Sequence, residues 1–127
     1  MKIKLRVNNL IKKYQTSNPF VLCRYLNITV VYADLGNIKG FYKKVITNKY
    51  IVLNEELTQD ERILVLSHEL GHAMLHSTKN IQFSMQHTIF KFHKQEEEAD
   101  EFARYLLMDY LKYNELRDIR IKQEIFY

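Results

Sequence analysis

The residues of this chain best suited to chemistry are His68-Glu69-Leu70-Gly71-His72. They form an H-E-x-x-H pattern, in which two histidines bind a zinc ion and the glutamate acts as general base. On a helix, His68 and His72 leave the same face one turn apart. Their ring nitrogens can then share one tetrahedral Zn²⁺, while Glu69, about 100° round the wheel, can reach a water without being a ligand. Chance alone would produce the pattern roughly 0.015 times in a chain of this composition. It therefore needs a helix, a buried setting and a third ligand to support it.

The surrounding residues predict that helix. Thr58-Gln59-Asp60-Glu61 reads as a capping box, with Thr58 as N-cap and Glu61 at the third helical position. Asp60 and Glu61 also place negative charge at the positive end of the helix dipole. Ile63, Leu66, Leu70 and Met74 form one apolar stripe, and Leu64, Val65 and Leu75 make the other faces apolar. A helix apolar on most sides is buried, and two buried histidines and a glutamate then need partners. A metal ion would serve as one.

A catalytic zinc site takes three protein ligands and keeps one position open. The candidates for the third are His76, His87, His93 and a carboxylate of the acidic segment Gln95–Met108, itself a strong helix signal. On that helix Glu97, Glu101 and Arg104 share one face, and Asp100 can pair with Arg104, so that face reads as solvated. Glu98 lies beside Ala99, Phe102 and Leu106 at the edge of the apolar stripe. A bare carboxylate there is costly, so Glu98 is the expected inward carboxylate. His76 stands one turn beyond His72. Three histidines in a row cannot all approach one tetrahedral ion, so His76 is expected behind the ligands or on the cleft wall. The longer metzincin pattern is absent, with Leu75 at its glycine position and Thr78 at its third histidine.

The rest of the chain must position this site. Its 127 residues suit one domain, and 46% apolar and 13% aromatic residues suffice for a core. The net charge of +4 comes from scattered lysines and arginines, which reads as solvated surface; direct nucleic-acid binding is not expected. Cys23 is the only cysteine, so no internal disulfide can form, and a cytoplasmic location suits it. Neither a signal peptide nor a membrane span is expected. Residues 3–15 read as an amphipathic helix, and Asn18-Pro19 as the start of a second one reaching Leu26. Ile28–Tyr32, Ile38–Ile46 (with Gly40 as a candidate bulge) and Tyr50–Asn54 read as three strands of an antiparallel meander. Tyr50–Asn54 is expected at an edge, where an extended substrate could pair with it. Residues 78–92 read as a loop bordering the site, and 110–127 as one or two weak helices.

These segments resemble the ImmA/IrrE family of metallopeptidases. The resemblance is carried by His68-Glu69-Leu70-Gly71-His72-Ala73-Met74-Leu75-His76, by Glu96-Glu97-Glu98-Ala99-Asp100-Glu101-Phe102-Ala103, and by Leu106-Leu107-Met108. Asn18-Pro19-Phe20, Val31-Tyr32-Ala33-Asp34-Leu35-Gly36 and Gly40-Phe41-Tyr42 add to it. It spans residues 3–111 of a single domain covering 1–127, with 112–127 as a C-terminal helical tail. It implies an α+β, zincin-like (gluzincin) fold with a small sheet packed on the H-E-x-x-H helix. It implies Zn²⁺ held by His68, His72 and Glu98, with Glu69 catalytic; His76, His87, His93 and Tyr105 are candidates for outer-sphere or oxyanion roles. The implied activity is a hydrolase of the mobile-element branch: a site-specific endopeptidase that cleaves a helix-turn-helix repressor of a phage or integrative element. Asp109 stands where members often carry proline. Two other readings are a catalytically silent zinc-fold protein that binds a transcription factor, and a toxin-like protease of a toxin–antitoxin pair.

Overall fold

A computed structural model describes residues 2–76 and 89–114, with side chains from 93 to 112 in the second stretch. The elements run α1 (Ile3–Tyr14), α2 (Pro19–Tyr25), β1 (Ile28–Ala33), β2 (Gly40–Val45), β3 (Asn48–Asn54), α3 (Gln59–His76) and α4 (Ile89–Asn114). The fold is α+β, as expected. Among the described residues four helices and a three-stranded sheet share one core, in which Ile3, Val7 and Leu10 of α1 meet Leu22, Ile51, Leu53, Leu66, Leu70, Phe102 and Leu106.

Local signals act where the sequence put them. Asn18 caps α2, its Oδ1 accepting from Phe20 N–H at 2.9 Å and Val21 N–H at 3.4 Å, with Pro19 at the first helical position. The capping box of α3 closes in both directions: Thr58 N–H donates to Glu61 Oε1 at 2.9 Å, and Glu61 N–H to Thr58 Oγ1 at 3.2 Å. Buried Asn54, at the end of β3, donates to the carbonyls of Gly36 and Ile38 and accepts from Glu56 N–H. That side chain ties the β1–β2 turn to the lead-in of α3. Cys23 is buried, and burial pushes its thiol up to about 12, so it is an inert core residue.

The sheet corrects the antiparallel meander. Its order is β1-β3-β2: β3 is antiparallel to β2 and parallel to β1. β3 carries the buried pair Ile51 and Leu53 and takes the centre, where both of its edges are hydrogen-bonded. It therefore has no free edge for a substrate, and β2 and β1 are the outer strands. Gly40 makes no bulge; it pairs in register with Leu53. A Cβ there would come within 2.9 Å of Val52 O and of Val65 Cγ1, so glycine lets the start of β2 lie against α3. The acidic helix is also longer than expected. It begins at Ile89, inside the segment read as a loop, and runs to Asn114. The remainder of the expected loop and most of the tail, 115–127, lie outside the described residues.

The contact that matters most for the site is the crossing of α3 and α4. A Cβ added at Gly71 would lie 3.0 Å from Ala99 O, 3.1 Å from Ala99 Cα and 3.2 Å from Phe102 Cβ. Glycine leaves room for this approach; with a Cβ present, two backbone atoms would have to give by a few tenths of an ångström. On the second flank, the Arg6 guanidinium of α1 donates to Met74 O in the last turn of α3 at 3.1 Å. Gly71→Ala should gain about 1 kcal/mol in helix propensity but lose about 1–3 kcal/mol to overpacking. The expected net result is a lower thermal midpoint, checked by circular dichroism on the metal-free protein.

Candidate metal centre

α3 presents His68, His72 and His76 on successive turns, and α4 crosses it with Glu96, Glu98 and Asp100 facing them. Ligand-type atoms of His68, Glu69 and His72 lie within 4.8 Å of one another. The imidazoles of His68 and His72 meet edge to face, with ring centroids 4.9 Å apart. Glu69 belongs to this group by proximity, but the carboxylate that touches both rings is Glu96. Its Oε2 is 2.9 Å from His68 Nε2, and its Oε1 is 2.8 Å from His72 Nε2.

This differs from the expectation for Glu98. Glu98 does not face His68 and His72; its Oε1 lies 3.2 Å from His76 Nε2. His76 Nδ1 in turn lies 3.1 Å from His72 Nδ1. Asp100 was read as solvated. It is exposed, yet its Oδ1 is 2.7 Å from His68 Nδ1. The helical wheel gives the angle of each carboxylate about α4, whereas the register of the crossing decides which imidazole it meets. Glu96 and Asp100 are one turn apart on α4, as His68 and His72 are on α3. That matched i,i+4 spacing was the available signal.

Among the remaining candidates, His93 is exposed and stands one turn before Glu96 on α4. Tyr105 packs toward α1, with Lys4 Nζ 6.0 Å from its ring centroid, and lies roughly 10 Å along α4 from Glu98. His87 lies outside the described residues.

The electrostatics follow from this packing. Burial disfavours a charged His68, but the hydrogen bond to Glu96 and the charges of Glu69, Glu96 and Asp100 outweigh it, and its pKa rises to about 9. Hydrogen bonds from His68 and His72 hold Glu96 far below the ordinary carboxylate range. Burial raises Glu69 to about 7, against the charges of His72 and His68 and a hydrogen bond from the Tyr42 backbone N–H. Burial lowers His76, partly offset by its bond to Glu98.

This donor set fits a divalent metal. His68 has a carboxylate oxygen at each ring nitrogen, and a neutral imidazole can donate to only one of them. The other contact requires an added positive charge, which is either a second proton or a metal ion. Two imidazoles and a carboxylate match the His₂Glu ligand set of catalytic zinc sites. Glu69 stands beside them near neutral pKa, where a general base works best.

Comparison with known proteins agrees with this reading. The family model described as the IrrE N-terminal-like domain, a peptidase family, matches residues 23–124. A protein of Bacillus phage phi105, named uncharacterized immunity region protein 2, is 51% identical over 107 residues, covering 84% of this chain and 68% of its own length. A protein of Bacillus subtilis (strain 168), named metallopeptidase ImmA, is 31% identical over 108 residues, covering 84% of this chain and 63% of its own length. The chain thus spans about two thirds of these relatives. No solved structure matches it.

The raised pKa of His68 sets a pH dependence. A group whose pKa rises from about 6.5 to about 9 on folding contributes stability that is full below 6.5 and lost as pH climbs toward 9. The thermal midpoint of EDTA-treated protein should therefore fall between pH 6.5 and 9, while apparent zinc affinity rises over the same range as the competing proton leaves. Parallel melts and chelator competition across that range check both slopes.

Proposed function

The chain belongs to the family of the IrrE N-terminal-like domain, a metallopeptidase family, and from that premise we propose that it is a zinc-dependent endopeptidase. The observation that carries this reading is the Glu96 carboxylate in contact with both motif histidines, with buried Glu69 beside them. In this reading His68, His72 and Glu96 hold the metal, and Glu96 takes the role that the sequence suggested for Glu98. When bound, the metal supplies the Lewis acidity that polarises the scissile carbonyl and eases deprotonation of the attacking water. Glu69 accepts the proton of that water as its oxygen bonds to the carbonyl carbon, then delivers it to the leaving amine as the C–N bond breaks. Asp100 accepts a hydrogen bond from His68 Nδ1 and keeps that ring's other nitrogen directed at the metal. His93, exposed and one turn before Glu96 on the same helix face, is a candidate oxyanion donor.

The substrate segment lies extended along the outer edge of β2. Tyr42 of that strand directs its N–H at Glu69, so a peptide paired there runs past the general base. We take the substrate to be a helix-turn-helix repressor of a phage or integrative element, acting in the cytoplasm. The family resemblance implies this, and the immunity-region name of the phage relative supports it. Among the described residues no helix is long and apolar enough to cross a membrane.

Glu69→Gln should retain zinc and lower cleavage of the repressor encoded beside the gene by about 10²–10⁴-fold, measured by mass mapping of fragments. Function in cells that survives this change would favour the silent binding protein. Growth arrest on expression, relieved by a neighbouring gene's product, would favour the toxin-like protease. The ligand assignment has its own check. Glu96→Ala should cost more than about 100-fold in zinc affinity, exceeding the range of outer-sphere partners. Equal zinc binding by Glu96→Ala and wild type would refute it.

A further inference from the structure

His76 and Glu98 play no part in the reaction just described, yet both are withdrawn from solvent, with side-chain exposures of 7% and 17%. They form a chain that ends on His72. His76 Nε2 lies 3.2 Å from Glu98 Oε1, and His76 Nδ1 lies 3.1 Å from His72 Nδ1. A carboxylate can only accept, and a neutral imidazole has one N–H and one lone pair. Two neutral rings carry two protons for three contacts, so one contact goes without; when a cation serves the contact with Glu96, the protons stand in the following order. His76 Nε2–H donates to Glu98. His76 Nδ1 is left bare and accepts from His72 Nδ1–H. In the metal-bound form His72 Nε2 is thus left as a lone pair, where in the metal-free protein it carries the proton donated to Glu96 at 2.8 Å. A lone pair and a carboxylate oxygen at that distance repel unless a cation joins them.

We infer that His76 and Glu98 are positioning residues that lock His72 in its metal-binding tautomer, a two-membered counterpart of the single carboxylate, Asp100, behind His68. The inference rests on the metallopeptidase reading and adds to it a role for two residues outside the ligand set. It accounts for a third histidine one turn beyond the motif, and for the second inward carboxylate on α4. The two motif histidines are thus both backed by a carboxylate, one directly and one through a ring. Both carboxylates come from α4, so the helix that supplies the third ligand also orients the other two.

The test measures zinc dissociation constants by competition with a chromogenic chelator, on the full chain, alongside the folding of each variant by circular dichroism. His76→Phe keeps a ring and removes both nitrogens; Glu98→Ala removes the terminal acceptor; Glu98→Gln keeps an acceptor oxygen. His76→Phe and Glu98→Ala should each weaken zinc binding by about 10–100-fold. Glu98→Gln should recover most of the loss, and the double variant should be no weaker than His76→Phe, because one chain is being cut twice. Long-range ¹H–¹⁵N correlation on zinc-loaded wild type should show the His72 proton on Nδ1 and the metal on Nε2. Binding by both single variants within twofold of wild type would overturn the relay, as would a His72 bound through Nδ1. A loss in Glu98→Ala as deep as in Glu96→Ala would also overturn it, making Glu98 a ligand itself. If His76→Phe does not fold, Glu98→Ala and the tautomer measurement decide. Zinc uptake that is abolished by His68→Ala but untouched by Glu98→Ala sinks the relay alone. A wild-type chain that takes up no zinc sinks both the relay and the metallopeptidase reading.

Discussion

Everything at the site depends on how closely two helices can approach. α3 carries the imidazoles and α4 the carboxylates that face them, and the two approach this closely because Gly71 has no side chain where Ala99 passes. The backbone contact sets the separation of the axes. Short and medium side chains then bridge the gap: His68 to Asp100 at 2.7 Å, His72 to Glu96 at 2.8 Å, His76 to Glu98 at 3.2 Å. A wider crossing would leave the same residues on the same faces, with the carboxylates held back from the rings. Leu66, Leu70, Phe102 and Leu106 supply the apolar burial that holds the crossing shut.

Charge is concentrated where this packing leaves it least solvated. Glu69 and His72 are buried, and Glu96 is only partly covered. Three carboxylates at the histidines would repel one another without a cation among them. His68 offsets this by taking a proton, its pKa driven to about 9, and hydrogen bonds from His68 and His72 hold Glu96 far below its usual range. A metal ion would offset it more fully, with a double charge and fixed directions. The site is therefore poised between two cations, and folding stability, proton uptake and metal uptake are linked through the same few atoms.

Much of this architecture was legible in the residues. Thr58 and Glu61 announce the start of α3 because a capping box needs only neighbours three apart, and both of its bonds form. Asn18-Pro19 announces α2 for the same local reason. The three strands were readable from their β-branched and aromatic runs, but their order was not. β3 sits between β1 and β2 with Ile51 and Leu53 fully buried, a placement that depends on comparing strands across the whole chain. Which carboxylate meets which imidazole was not legible for a related reason. A helical wheel gives the angle of Glu98 about its own axis, and Glu98 does turn inward. It does not give the height at which the neighbouring helix crosses, and that height put Glu96 at His68 and His72 and left Glu98 to His76.

By itself, then, the sequence determined the elements, the motif on α3 and the presence of an acidic partner helix. Those depend on interactions within a few residues: capping, periodicity and the i,i+4 repeat. Only the tertiary structure decided which carboxylate meets which imidazole and which strand edge is free. Those depend on the distance and register between segments far apart in the chain, which are set by the backbone contact at Gly71 and the central burial of β3.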